Sequence, residues 1–174
     1  MLTFFKHSKQ KRINNQKELI EKLHEFTQRP KGEIEQNINN LLKKYEDIVI
    51  NQNQITLTTK HVKIKHNERY YHIGKFKISF KIPLAHLTNS EGLSNLFTYK
   101  NITNKYLHPH ILNRRQLKCS SVCYGNITSL LILILNNKNI CSAIHLLDDF
   151  LHSYNADSCW TLIERWPSVK IKKS

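Results

Sequence analysis

Long apolar runs are missing from this chain. Its most hydrophobic stretch, Leu130-Leu131-Ile132-Leu133-Ile134-Leu135, falls far short of the roughly 20 residues that a membrane-spanning helix needs. The basic residues between Lys6 and Arg12 are not followed by an apolar segment of the kind that marks a secretion signal. The expectation is a cytoplasmic protein without a transmembrane segment, its four cysteines reduced rather than paired. Acid is scarce as well: 13 Asp and Glu stand against 27 Lys and Arg, a formal net charge of +14. That imbalance favours an acidic partner such as nucleic acid, an anionic membrane surface or an acidic protein. The excess is scattered, with Lys6, Lys9, Lys11 and Arg12 early, Lys60, Lys63 and Lys65 in the middle, and Lys170, Lys172 and Lys173 at the end. No basic run is interleaved with stacking aromatics, so solvated surface charge is the simpler reading than a dedicated single-strand binder. Internal repeats and long linkers are absent too. A chain of 174 residues then suits one domain plus an extension.

What is present reads as an α+β protein: N-terminal helices, an antiparallel meander of about four strands, and C-terminal helices. Residues 1–50 form the helical extension, 51–168 the main domain and 169–174 a basic tail. Leu19, Ile20, Leu23 and Phe26 give one short apolar face, which ends at Arg29-Pro30-Lys31-Gly32. Ile34, Ile38, Leu41, Leu42, Tyr45, Ile48 and Val49 then follow three-four helical spacing. From Ile55 the period becomes two. Ile55 and Leu57 alternate with polar neighbours, and Val62 and Ile64 do so in the opposite phase, which requires a turn or bulge near Thr59-Lys60. Phe76, Ile78, Phe80 and Ile82 alternate with lysine and serine, and Pro83 ends the run. Leu96 to Ile102 is a weaker strand. The apolar run at Leu130–Leu135 fits helix or strand by period alone. Asn139 then caps an amphipathic helix marked by Ile140, Ala143, Ile144, Leu147, Phe150, Leu151 and Tyr154. Trp160 to Trp166 reads as a last short helix.

The chemistry concentrates between His108 and Cys123. Pro109 holds two imidazoles, His108 and His110, on a constrained turn. Cys123 lies two residues before Gly125, where the backbone can bend and leave the sulfur uncrowded. His108, His110, Cys119 and Cys123 are the right types for zinc. An extended His-Pro-His would send its rings to opposite sides, however, so neither a metal nor another cofactor is expected. Arg114, Arg115, Lys118 and the histidines give Cys123 an electropositive setting suited to a nucleophilic thiol. Cys141, on the apolar stripe of its helix, and Cys159, beside Trp160, read as core.

The order of these features, over roughly Ile55 to Trp166, resembles the ubiquitin-conjugating enzyme fold, particularly its divergent bacterial and phage members. Gly74-Lys75-Phe76-Lys77-Ile78-Ser79-Phe80 looks like the family's second strand, and His108-Pro109-His110-Ile111 like its His-Pro-Asn turn. Cys123-Tyr124-Gly125 looks like the Cys-x-Gly of divergent members, and Tyr154-Asn155-Ala156-Asp157 like the Asn-x-Asp region. The resemblance implies a thiol carrier that takes a ubiquitin-like modifier from an activating enzyme as a thioester on Cys123. His110 stands in the place of the oxyanion-stabilising asparagine, Asp157 in that of a residue orienting the incoming lysine, and His108 and Pro109 hold the turn. The interval from His108 to Cys123 is long because Asn113-Arg114-Arg115-Gln116-Leu117-Lys118 extends it, which makes Cys119 the alternative nucleophile. A catalytically inactive interaction module of the same fold and a basic nucleic-acid-binding protein are the competing expectations.

Overall fold

The computed structural model describes residues 2–171 except 83, 85 and 115–118, with side chains described outside 2–12, 113–114 and 119–121. Pro83, Arg115 and Lys118 lie outside these residues. So do the side chains of Lys6, Lys9, Lys11, Arg12, Arg114, Cys119, Lys172 and Lys173. The architecture is α+β, with N-terminal helices, antiparallel strands and C-terminal helices. Helices α1 (Leu2–Thr27) and α2 (Lys31–Lys44) meet at the turn marked by Pro30. They bury Leu19, Leu23, Ile34, Ile38 and Leu41 against the body of the protein.

The helical period assigned through Val49 stops earlier than the sequence suggested. Tyr45–Asn51 is strand β1, paired antiparallel with β2 (Gln54–Thr59). A register shift between Tyr45 and Asp47 accounts for the misreading. The irregularity puts the buried residues at Tyr45, Ile48 and Ile50, a spacing that imitates a helix turn before the alternation resumes. Strand β5 (Phe76–Lys81) lies on the other side of β2, and β6 (Thr98–Asn101) completes a sheet ordered β1-β2-β5-β6. One face of that sheet carries Ile55, Leu57, Phe76, Ile78, Phe80 and Tyr99 into the core.

The phase change near Thr59-Lys60 is a turn into a separate hairpin, β3 (Val62–His66) and β4 (Arg69–Gly74). The boundary placed after residue 168 falls inside β9 (Ser168–Lys170), so the start of the expected basic tail is a strand that pairs with β4. Two elements had no counterpart in the periodicity: α3 (Ser90–Leu96), capped by the Asn89 side chain, and the hairpin β7 (Ile111–Arg114) and β8 (Cys119–Val122). The apolar run is helix α4 (Thr128–Asn136), and Asn139 caps α5 (Ile140–Leu151) by accepting from the Ser142 amide. At Trp160 to Trp166 only a single 3-10 turn, Ile163–Arg165, forms. No described helix is long and apolar enough to cross a membrane.

Gly74 connects this scaffold to the histidine turn. Its φ of +127° is costly for any side chain, and a Cβ there would lie 2.5 Å from Asn101 Oδ1. That close approach lets Asn101 Nδ2 donate to the carbonyls of Ile73 and Leu107, the residue just before His108. One asparagine thus ties the β4–β5 corner to the start of the turn.

Candidate functional site

His108 is fully buried and has both ring nitrogens engaged. Its Nδ1 accepts from the His110 amide at 3.2 Å, which leaves the proton on Nε2 to be donated to the Leu151 carbonyl at 3.1 Å. Burial holds the ring neutral, lowering its pKa from 6.5 to about 3. The Pro109 carbonyl accepts from the amides of Trp160 and Thr161, so the turn is fastened to the C-terminal segment as well. The two imidazoles do not point apart as an extended chain would send them. The chain bends at Pro109, the ring centroids lie 5.8 Å apart, and both rings pack against Phe150.

His110 is also buried, at 4 % exposure. Its Nε2 accepts from the Asn155 amide at 3.0 Å, so Nδ1 carries the proton and faces the Ser158 carbonyl at 3.3 Å. Burial again lowers the pKa. A donor for a developing oxyanion needs a free N–H aimed at the reacting carbonyl, and this ring has none to spare. The role expected for His110 therefore gives way to another: it clamps the 155–158 segment in place. Neutral rings at both positions also remove the histidine share of the electropositive setting expected around Cys123.

Cys123 follows directly from β8, and its amide donates to the His110 carbonyl at 2.9 Å. The thiol is free and half-buried, and it lines a cleft of about 400 Å³. The rest of the lining comes from His110, Phe150, Ser153, Tyr154, Asn155 and Ser158. Tyr124 anchors the thiol segment from below. Its hydroxyl shares a 2.9 Å hydrogen bond with Tyr99, both are buried, and burial raises both phenol pKa values. Gly125 then adopts φ +57°, a left-handed conformation that reverses the chain into the 3-10 turn Gly125–Ile127 and on into α4. The amides of Tyr124, Gly125 and Asn126 have no acceptor among the described residues, as expected for the open start of a helical segment. Cys123 thus sits where unsatisfied N–H groups accompany a thiol in a cleft.

Other expected residues fall differently. Asp157 is exposed on the 3-10 turn Ala156–Ser158 and does not line the cleft, although its neighbours Asn155 and Ser158 do. Its amide donates to the Asn155 side chain. Cys141 is buried, and burial pushes its thiol up to about 11. Cys159 is half-buried rather than core, its Sγ 3.4 Å from the Ala156 carbonyl and 3.7 Å from the Tyr154 hydroxyl. Sequence reasoning did not single out Asn126, Ser153 or Ser158, which reach the cleft from positions next to a glycine turn and past the end of α5. Their proximity to Cys123 is set by tertiary packing, and Asn126, three residues beyond it, was the one within local reach. Among the described residues no group of three or more His, Cys, Asp and Glu side chains converges to hold a metal. No protein-family model matches the chain, nor does any curated protein or any solved structure.

Proposed function

We propose that the protein is a thiol carrier of the ubiquitin-conjugating kind, with Cys123 as the residue that bears the modifier. The observation that supports this most is a free, partly exposed thiol in a cleft, followed by three backbone amides with no acceptor among the described residues and hydrogen-bonded through its own amide to a turn of His-Pro-x type. The Cys123 thiolate attacks the thioester carbonyl of the loaded donor, and the donor's thiolate leaves. An amine then attacks the new thioester, Cys123 leaves as thiolate, and the amine's proton passes to solvent. The amides of Tyr124, Gly125 and Asn126 are the groups suited to steady the oxyanion in both steps. Asp157, exposed on the turn between the cleft-lining Asn155 and Ser158, is the carboxylate assigned to the incoming amine in this reading.

The commitments of His110 favour this reading over a hydrolase of the Cys-His type. Such an enzyme needs an imidazole nitrogen free to take the thiol proton. Exchange between thioesters needs a competent thiolate and a polarised carbonyl but no dedicated base. The test uses a ubiquitin thioester of a small mercaptan as donor. Wild-type protein should acquire an adduct that thiols release, Cys119→Ser should behave the same, and Cys123→Ser should give none. An adduct that survives Cys123→Ser and vanishes in Cys119→Ser assigns the chemistry to the other cysteine. A folded wild-type protein that forms no adduct is a binding module.

A further inference from the structure

The strand register places a basic surface on the side of the main sheet away from the core. Lys77 of β5 pairs directly with Lys100 of β6, and Lys77 pairs on its other side with Thr58 of β2. Two ammonium groups directly opposite each other across neighbouring strands repel, yet both are exposed and neither has an ion-pair partner among the described residues. Lys81 projects from the same face of β5, four residues on from Lys77, and is likewise exposed and unpaired. Between the lysines runs a row of hydroxyls, Thr56, Ser79 and Thr98, in cross-strand register, of which Thr56 and Ser79 share a 3.0 Å hydrogen bond that leaves one of their two protons free. The acids nearest are Glu46, which is ion-paired to Lys75 two residues before Lys77, and Asp47 on β1, two strands away from Lys77 in register.

We infer that this outward face, centred on Lys77, Lys81 and Lys100, is a binding surface for the phosphate backbone of nucleic acid, an activity independent of the thiol chemistry. Lysines supply the charge contacts, and the hydroxyls between them suit phosphate oxygens. The alternatives fit less well. A protein partner would want aromatic anchors and few lysines at the centre of its contact. A lipid surface would want apolar side chains to insert. Strands β2, β5 and β6 present neither on this face. The same lack of aromatics removes base stacking, so recognition is by backbone and independent of sequence.

The test measures binding of a fluorescein-labelled 20-mer of single-stranded DNA by anisotropy, from 25 to 300 mM salt. Wild type should bind, with affinity falling steeply as salt rises. Lys77→Glu/Lys81→Glu/Lys100→Glu should weaken binding by about a hundredfold at 50 mM salt and flatten the salt dependence by roughly two to three phosphate contacts. The control Lys43→Glu/Lys63→Glu/Lys65→Glu makes the same change in net charge on other exposed positions and should lose less than tenfold. The corresponding glutamine triple of the sheet face, with circular dichroism to verify folding, replaces the glutamate variant if that one unfolds. Equal losses in face and control variants would mean diffuse attraction to a +14 chain and would overturn the inference. So would a wild type that fails to bind, or one that binds an anionic vesicle or polyglutamate as tightly as DNA.

Discussion

The two walls of the cleft are built on opposite terms. On the histidine wall, which His110 lines and the buried His108 and Pro109 back, every ring nitrogen is committed and the Pro109 carbonyl holds two amides. On the cysteine wall a half-exposed thiol is followed by amides without acceptors among the described residues and a glycine in left-handed conformation. Buried polar groups that are fully paired make a rigid support. Unpaired groups that face a cleft are available to a ligand. The contrast separates holding from reacting, and it moves His110 from the reacting side, where the sequence put it beside Cys123, to the holding side with His108.

The comparison can be broken hardest at His108. His108→Ala leaves the His110 amide and the Leu151 carbonyl without partners and opens a cavity beside Phe76 and Phe150. The expected cost is about 4 kcal/mol in urea unfolding; a loss below 1 kcal/mol would show that the histidine wall is not the support described. A second, graded test is acid. The unfolded chain titrates each imidazole near 6.5, whereas burial keeps His108 neutral down to about pH 3 and lowers His110 as well. Between those values the unfolded state binds more protons. Stability from His108 is thus complete above pH 6.5 and falls by roughly 1.4 kcal/mol per pH unit below it, with His110 adding in the same direction. Thermal melts at pH 7.5, 6.5 and 5.5 should step downward, and a flat profile would contradict neutral, buried rings.

The smallest change is expected on the cysteine wall. Gly125→Ala meets no neighbouring atom within 4 Å, but it must hold φ near +57°. The cost is about 1 kcal/mol, and adduct formation at Cys123 should slow as the amides of 124–126 lose their alignment. A variant of unchanged stability and unchanged rate would mean that the turn does not set those amides.

Much of this scaffold was legible because local period and burial agree. β5 alternates cleanly between core and lysine, and α5 carries its stripe from Ile140 to Leu151 behind an asparagine cap. β1 was not legible, since the irregularity at Tyr45–Asp47 breaks the alternation that would reveal a strand. β7, β8 and β9 are only three or four residues long, too short for an alternation to show, and β9 finds its partner β4 about a hundred residues away. At the site, residue types picked out His110 and Cys123, which do share a cleft. They could not report that His110 is spent on Asn155 and Ser158, because those partners are more than forty residues away.

The account rests on the thiol of Cys123 taking an acyl group while the histidine turn only holds the cleft. The most direct measurement is intact and peptide mass analysis after exposure to the ubiquitin thioester. One modifier mass should appear per chain, mapped to the peptide containing Cys123 and released by hydroxylamine. A folded, unlabelled Cys123, or label found at His110 or Cys159 instead, would contradict it.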